Sequence, residues 1–247
     1  MGHHNIFQKE YGKVFVVGDL HGCVTKLMGA LDDKGFCREN DILVCTGDII
    51  DRGSESIAAL NLLSEPWFYC IKGNHEYTAE KIWNGLATKQ MTTELQFLMA
   101  LWTLDKNGGG WFDELSHAER QFCLTQGVSL ISELPLALTI HMRNGCKFGV
   151  VHASPLSGDW APSRYESVSY DEIKLILESR EQFGKKRHTV YGGIDAIFVG
   201  HNVTDSPQGL LLGNVFYLDT GAWEESNSKE FLIVDVDEFC HQITSEE

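Results

Sequence analysis

The chain has 247 residues, with 20 Lys and Arg against 35 Asp and Glu, a formal charge of −15 and 43% hydrophobic residues. This is the profile of a water-soluble folded protein and gives no support to a collagen-like, disulfide-scaffold or disordered chain. No apolar run approaches the roughly 18 residues of a membrane helix, the polar stretch Met1 to Tyr11 lacks the apolar segment of a secretion signal, and an acidic chain is a poor match for a nucleic-acid backbone, which needs clustered Lys and Arg.

In chain order, the pattern that recurs is a short apolar run ending in polar, ligand-type residues. Val14–Val17 runs into Gly18-Asp19-Leu20-His21, followed at helical spacing by Val24, Leu27, Met28 and Leu31. Ile42–Cys45 runs into Thr46-Gly47-Asp48, followed by Ile57, Leu60 and Leu63. Trp67–Ile71 leads to Gly73-Asn74-His75-Glu76. From about Tyr77 to Glu133 the chain reads mainly as helix, with a stripe of Leu95, Leu98, Met99 and Trp102 and a capping box at Ser116 and Glu119. Gly108, Gly109 and Gly110 read as a helix end and turn rather than a phosphate cradle, because no strand precedes them. Arg143-Asn144-Gly145-Cys146 is a hairpin turn, Phe148–Val151 ends at His152, and Ile197–Gly200 ends at His201. Antiparallel strands are expected around Leu210–Leu212, Val215–Leu218 and Phe231–Val236.

Runs of this length, rich in β-branched and aromatic residues, predict buried strands. Strand, helix, strand with short turns predicts right-handed crossovers and parallel neighbours, whose C-terminal ends share one edge of the sheet. No repeat, low-complexity segment or Pro/Gly/Ser linker interrupts the chain, so one domain over 1–247 is expected. The seven cysteines include no Cys-x-x-Cys pair and read as small thiols in a reducing cytoplasm. Any metal site must then be built from oxygen and nitrogen.

Asp19, His21, Asp48, Asn74, His152 and His201 collect at the strand ends. Carboxylate, amide and imidazole without thiolate suit Mn²⁺, Fe or Zn²⁺. Six such groups exceed what a single catalytic zinc takes from a protein, but they suffice for two ions if Asp48 bridges. Paired ions suit in-line displacement at phosphorus. A lone histidine at a strand end is more often structural than a ligand; the case rests on the set.

Gly18-Asp19-x-His21-Gly22, Gly47-Asp48-x-x-Asp51-Arg52-Gly53 and Gly73-Asn74-His75-Glu76 together resemble the signature of the phosphoprotein phosphatase superfamily, in its phage and bacterial serine/threonine branch. The likeness extends through Pro66-Trp67-Phe68, Asn107-Gly108-Gly109-Gly110-Trp111-Phe112, Val151-His152-Ala153 and Asp219-Thr220-Gly221-Ala222. It implies an αββα sandwich, two mixed sheets flanked by helices, with a dinuclear site at the strand C-terminal ends. Asp19, His21 and Asp48 would hold one ion, and Asp48, Asn74, His152 and His201 the other, Mn²⁺ being favoured. His75 would protonate the leaving group, oriented by Asp51, while Arg52, Asn74 and Arg180 would contact the phosphate. The implied reaction is hydrolysis of phosphoserine or phosphothreonine on proteins by a metal-bridging hydroxide, in a bacterial or phage-infected cytoplasm, with phosphotyrosine and aryl phosphates as side substrates.

Arg180 continues the stripe Ile173, Ile176 and Leu177, so it could point into the cleft or merely cap helix carbonyls. At the last ligand the chain reads Gly200-His201-Asn202-Val203, where the family often has Gly-His-Thr-Pro. His3, His4, His117, His141, His188 and His241 read as surface or structural, Asp219 as a turn residue and Cys23 as core packing. Trp160 and Tyr165 read either as groove-lining or as exposed loop aromatics. A symmetrical dinucleoside-tetraphosphate hydrolase is the nearest alternative; Asp51-Arg52 and Glu76 favour the protein phosphatase. A metal-binding scaffold without catalysis is the more distant one.

Overall fold

The computed structural model describes residues 2–224 and 228–245. Among the described residues, ten strands form two mixed sheets. One runs β10(Ile233–Asp235)-β2(Val14–Val17)-β3(Ile42–Cys45)-β4(Phe68–Cys70), and the other β1(His3–Phe7)-β5(Ala137–His141)-β6(Lys147–Val151)-β7(Ala196–Val199)-β9(Val215–Tyr217)-β8(Leu210–Leu212).

The continuous apolar runs have a simple cause: the strands that carry them, such as β2 and β3, are covered on both faces. Along β2, Phe15 and Val17 face one core and Val14 and Val16 the other; β3 splits Leu43 and Cys45 from Ile42 and Val44 in the same way. The outer core joins the smaller sheet to α1(Val24–Asp33), α2(Ser56–Leu62), α3(Asn74–Ala87) and the helices beyond it. The middle core lies between the sheets, where Val14, Val16, Ile42 and Val44 meet Leu138, Ile140, Phe148, Val150 and Phe198. Phe239 of α10(Val236–Ser245) closes its end. The third core packs Ala137, Val151, Ile197, Val199 and Tyr217 against Ile176 and Leu177 of α8(Tyr170–Glu178). The layers are therefore helix, sheet, sheet, helix, as the sequence implied.

The segment between α3 and β5 is helical: α4(Thr93–Trp102), α5(Trp111–Glu114), α6(His117–Phe122), one π-helical turn over Cys123–Gly127, and α7(Val128–Glu133). Ser116 and Glu119 form the expected capping box. Asn144-Gly145 turns the β5–β6 hairpin, with Gly145 at φ 95°.

Four expectations are corrected. β9 is antiparallel to β8 but parallel to β7, and β10 crosses to the other sheet beside β2, so the last three strands are not one antiparallel unit. The strand expected to reach Val236 stops at Asp235, where α10 begins. Trp160 and Tyr165 are neither groove-lining nor exposed: both are buried in the third core, with the Trp160 indole donating to Thr139 Oγ1 at 2.9 Å. Cys146 and Cys240 are joined, so the reading of seven thiols fails at two positions that the hairpin and α10 bring together across 94 residues.

Candidate metal centre

In the smaller sheet β2, β3 and β4 run parallel, and in the larger β6, β7 and β9 do. The loops leaving them meet at one edge. Asp19 and His21 follow β2, Asp48, Asp51 and Arg52 follow β3, Asn74 and His75 open α3 after β4, His152 follows β6 and His201 follows β7.

Two clusters of ligand atoms share Asp48. His21, Asp48 and His75 form one and Asp48, His152 and His201 the other, each with its ligand atoms within 4.8 Å of one another and all of these residues buried. Asp48 belongs to both clusters. His75, expected as an acid, lies within the first cluster, and Asp19 lies beside the two. Both Asp19 oxygens accept the His201 N–H, at 3.1 and 3.0 Å, and Oδ1 also accepts the Thr46 hydroxyl at 3.3 Å. The Asn74 amide oxygen lies 3.1 Å from His152 Nε2, which brings a further oxygen donor to the second cluster.

The imidazoles are aimed by the backbone. His21 Nδ1 is 3.0 Å from the Ile50 carbonyl and His152 Nδ1 is 2.7 Å from that of Thr46. With Nδ1–H donating outward, each Nε2 lone pair faces inward, the arrangement that outer partners impose on metal-binding histidines. His201 Nε2 is buried without a hydrogen-bond partner. A buried orphan nitrogen is costly unless something completes it. Burial, then Asp219 and Asp48, pushes the Asp19 carboxyl well up. Burial also raises Asp219 to about 6. Crowded buried carboxyls and inward lone pairs of oxygen and nitrogen type fit divalent cations.

The four rings fall into two pairs, and the Asp48 charge, against burial, raises His75 and His152. Burial resists the charge on His75, but the Asp48 charge and the hydrogen bond to Asp51 raise it to about 9. His21 and His201 go down instead, through burial first and then a neighbouring imidazole, His201 to about 3. What sets His75 apart from His152 is its partner, a side-chain carboxylate rather than a backbone carbonyl. His75 Nδ1 lies 2.6 Å from Asp51 Oδ2, and its Nε2 lies 3.8 Å from Asp48 Oδ2.

The loops that carry these groups are strained and braced. His21, Asp48, Asp51, Arg52 and His201 all have φ between 42 and 74°, a region that costs non-glycine residues energy unless the surroundings impose it. The brace is Glu76, wholly buried, whose carboxylate accepts the N–H groups of Asp48 (2.8 Å), Ile49 (2.9 Å), Ile50 (3.3 Å) and Gly73 (3.0 Å). Burial, then the Asp48 charge, lifts its own pKa to about 7. Gly73 admits this packing because a Cβ there would stand 2.1 Å from Asp48 Oδ1.

At the mouth, the Arg52 guanidinium lies over the Trp223 ring at 4.0 Å, and Trp223 packs edge-on against His21. Arg180 is not on the α8 stripe: the helix ends at Glu178, and Arg180 immediately precedes α9(Glu181–Gly184). Its exposed guanidinium is 3.3 Å from the His201 carbonyl rather than on the carbonyls of α8. Asp219 is the turn residue expected, accepting the Gly221 N–H at 2.8 Å. The sequence did not mark Trp223 or the bracing role of Glu76. It also missed Trp102 and Trp111, whose indoles donate to Asp51; the only hint was that Trp111 falls in one of the family-like segments.

The family model for calcineurin-like phosphoesterases matches residues 12–205. The chain belongs to that family. Among its relatives, serine/threonine-protein phosphatase 1 of Salmonella typhimurium is 35% identical over 219 residues, 87% of this chain and 88% of the relative. Serine/threonine-protein phosphatase 2 of the same organism is 30% identical over 226 residues, 90% and 94% of the two chains. A solved structure of a candidate diadenosine tetraphosphatase superposes at a TM-score of 0.59 with 19% identity, covering 95% of this chain and 97% of that one, a likeness of fold alone. No helix among the described residues of this phosphoesterase is long and apolar enough to cross a membrane.

Proposed function

We propose that this phosphoesterase is a metal-dependent protein serine/threonine phosphatase, folded as one domain and working in the cytoplasm, with Mn²⁺ as its preferred ion. The observation that carries the reading is the Asp51–His75 pair, 2.6 Å apart, set beside an Asp48 shared between two ligand clusters. The resemblance over most of the chain to bacterial serine/threonine phosphatases supports the substrate class.

Asp19, His21 and Asp48 would hold one ion, and Asp48, Asn74, His152 and His201 the other. Bound there, the pair supplies Lewis acidity toward phosphoryl oxygens and lowers the pKa of water. The remaining work falls to the chain. Arg52 and Arg180 offer guanidinium donors to the non-bridging oxygens, on which charge persists through transfer. Asn74 would contact the same oxygens. As water forms the new P–O bond, the bond to the seryl oxygen breaks and His75 Nε2 supplies its proton, while Asp51 holds Nδ1–H. A serine alkoxide is a poor leaving group, so this proton matters most for alkyl esters. Phosphotyrosine and aryl phosphates, with better leaving groups, are accessible side substrates.

The test compares turnover of a phosphoserine peptide and of a dinucleoside tetraphosphate by metal-stripped protein reloaded with Mn²⁺. Preference for the peptide, and no turnover before reloading, is expected. Preference for the nucleotide would overturn the substrate class, and failure to hydrolyse even an aryl phosphate would leave only a metal-binding scaffold.

A further inference from the structure

We propose that Trp102 and Trp111 are positioning residues for the Asp51–His75 pair, which makes the helical segment between α3 and α7 a working part of the reaction centre. The inference rests on the phosphatase reading above and assigns that site a second layer.

Asp51 is wholly buried, and three side-chain nitrogens bear on its carboxylate, two of them indole donors. His75 Nδ1 and the Trp102 indole N–H both reach Oδ2, each at 2.6 Å, and the Trp111 indole N–H reaches Oδ1 at 2.7 Å. An indole nitrogen can only donate, so each Asp51 oxygen already accepts a hydrogen bond that favours the ionised carboxylate. His75 must then present Nδ1–H to Asp51, which turns Nε2 toward Asp48 and the place where the phosphate would react. Donors on both oxygens also fix the rotation of the carboxylate, and through it the tilt of the imidazole. Misplacing a reacting group by about 1 Å can cost roughly 10²-fold in rate.

The indoles are themselves held. Trp83 packs edge-on against both, at centroid distances of 6.4 Å to Trp102 and 6.2 Å to Trp111, and the two contact each other at 6.4 Å. Phe112 fills the remaining side, 5.6 Å from Trp102 and 6.1 Å from Trp111. The turn between them docks on the same loop: the Gly108 carbonyl accepts the Arg52 N–H at 2.9 Å, and a Cβ on Gly108 would stand 2.4 Å from that nitrogen. The helical segment thus holds Asp51 by its side chain and Arg52 by its backbone. A purely structural cap over the outer core would need neither contact.

The test exploits the leaving group. Trp111→Phe and Trp102→Phe are compared with protein in which Trp111 carries a benzothiophene in place of indole, the same shape without the N–H. Phosphoserine peptide and 4-nitrophenyl phosphate are the substrates, with Mn²⁺. On the peptide kcat is expected to fall about 10- to 30-fold, against no more than about threefold on the aryl ester, because only the alkoxide needs a well-placed proton. KM stays within about twofold on both, since the ground-state contacts are untouched. In Zn²⁺-loaded protein, where no paramagnetic ion broadens it, a downfield resonance of His75 Nδ1–H is expected in the parent and should weaken in the benzothiophene protein. Equal losses on the two esters, or no loss on either, would overturn the proposal, as would an unchanged Nδ1–H signal. If the parent itself hydrolyses neither ester, the phosphatase reading has failed; if it hydrolyses both and the variants do not discriminate, only the tryptophan assignment has.

Discussion

The two sheets deliver unequal halves of the site. The half from β2, β3 and β4 is over-determined: Glu76 takes four backbone N–H groups, three side-chain nitrogens bear on Asp51, and His21, Asp48, Asp51 and Arg52 are held in left-handed backbone. The half from β6 and β7 is lighter. His152 rests on one backbone carbonyl, His201 leaves a nitrogen without a partner, and Arg180 is exposed. The contrast separates tasks. On the proposed reading, the proton donor His75 and the phosphate ligand Arg52 are fixed by interlocking bonds, whereas Arg180 alone reaches the phosphoester from the looser edge.

Asp48 is the point where the halves join, so it is the place to break the comparison outright. Asp48→Asn removes the shared carboxylate from both clusters, and a loss of several kcal/mol of stabilisation corresponds to about 10³-fold or more in kcat. Elemental analysis should show both ions depleted. If one ion remained at full occupancy, the clusters would be independent and Asp48 would not bridge them.

His75→Asn tests the rigid half alone. The loss on a phosphoserine peptide should be about 10²- to 10⁴-fold, the range of a general acid, with a much smaller effect on 4-nitrophenyl phosphate. Equal losses on the two esters would assign His75 to the ligand cluster it adjoins rather than to proton transfer.

Glu76→Gln probes the brace without touching the ligands. An amide NH₂ cannot accept, so at least one buried backbone N–H loses its partner, at a cost of about 1–3 kcal/mol. Urea unfolding should show a lower midpoint with an unchanged slope, and metal affinity should fall by about 10-fold, as for other outer partners. A stability equal to the parent's would mean that the left-handed loop holds without its carboxylate.

The strand ends were legible because a parallel strand covered on both faces reads as an unbroken apolar run, and a ligand-type residue follows at once. That is why Asp19, His21, Asp48, His152 and His201 could be named in order. The outer support was not legible. Trp102 and Trp111 reach Asp51 across 51 and 60 residues, and helical periodicity shows which face of α4 is apolar but not which indole meets a carboxylate. Trp160 was misread because a loop position says nothing of the Thr139 hydroxyl that its indole finds. β1 was missed because an edge strand such as His3–Phe7 keeps polar residues on its open side. Arg180 left its expected stripe because Ser179 is extended, with φ −70° and ψ 129°, which ends the helix before the arginine.

That displacement sets up the mildest change and the sharpest check on the looser half. A guanidinium leaning on the His201 carbonyl at 3.3 Å is free to exchange that contact for a phosphoryl oxygen. An exposed charge in this position is worth about 1 kcal/mol, which is about fivefold in affinity. Arg180→Ala should therefore raise KM for a phosphopeptide by about that factor and leave kcat within about twofold, the sign of binding shared by ground state and transition state. The KM difference should shrink as salt is raised, because exposed charges are screened within a Debye length of about 8 Å at 0.15 M. A kcat loss as deep as that of His75→Asn would move Arg180 into the rigid half, and the division of labour between the sheets would have to be redrawn.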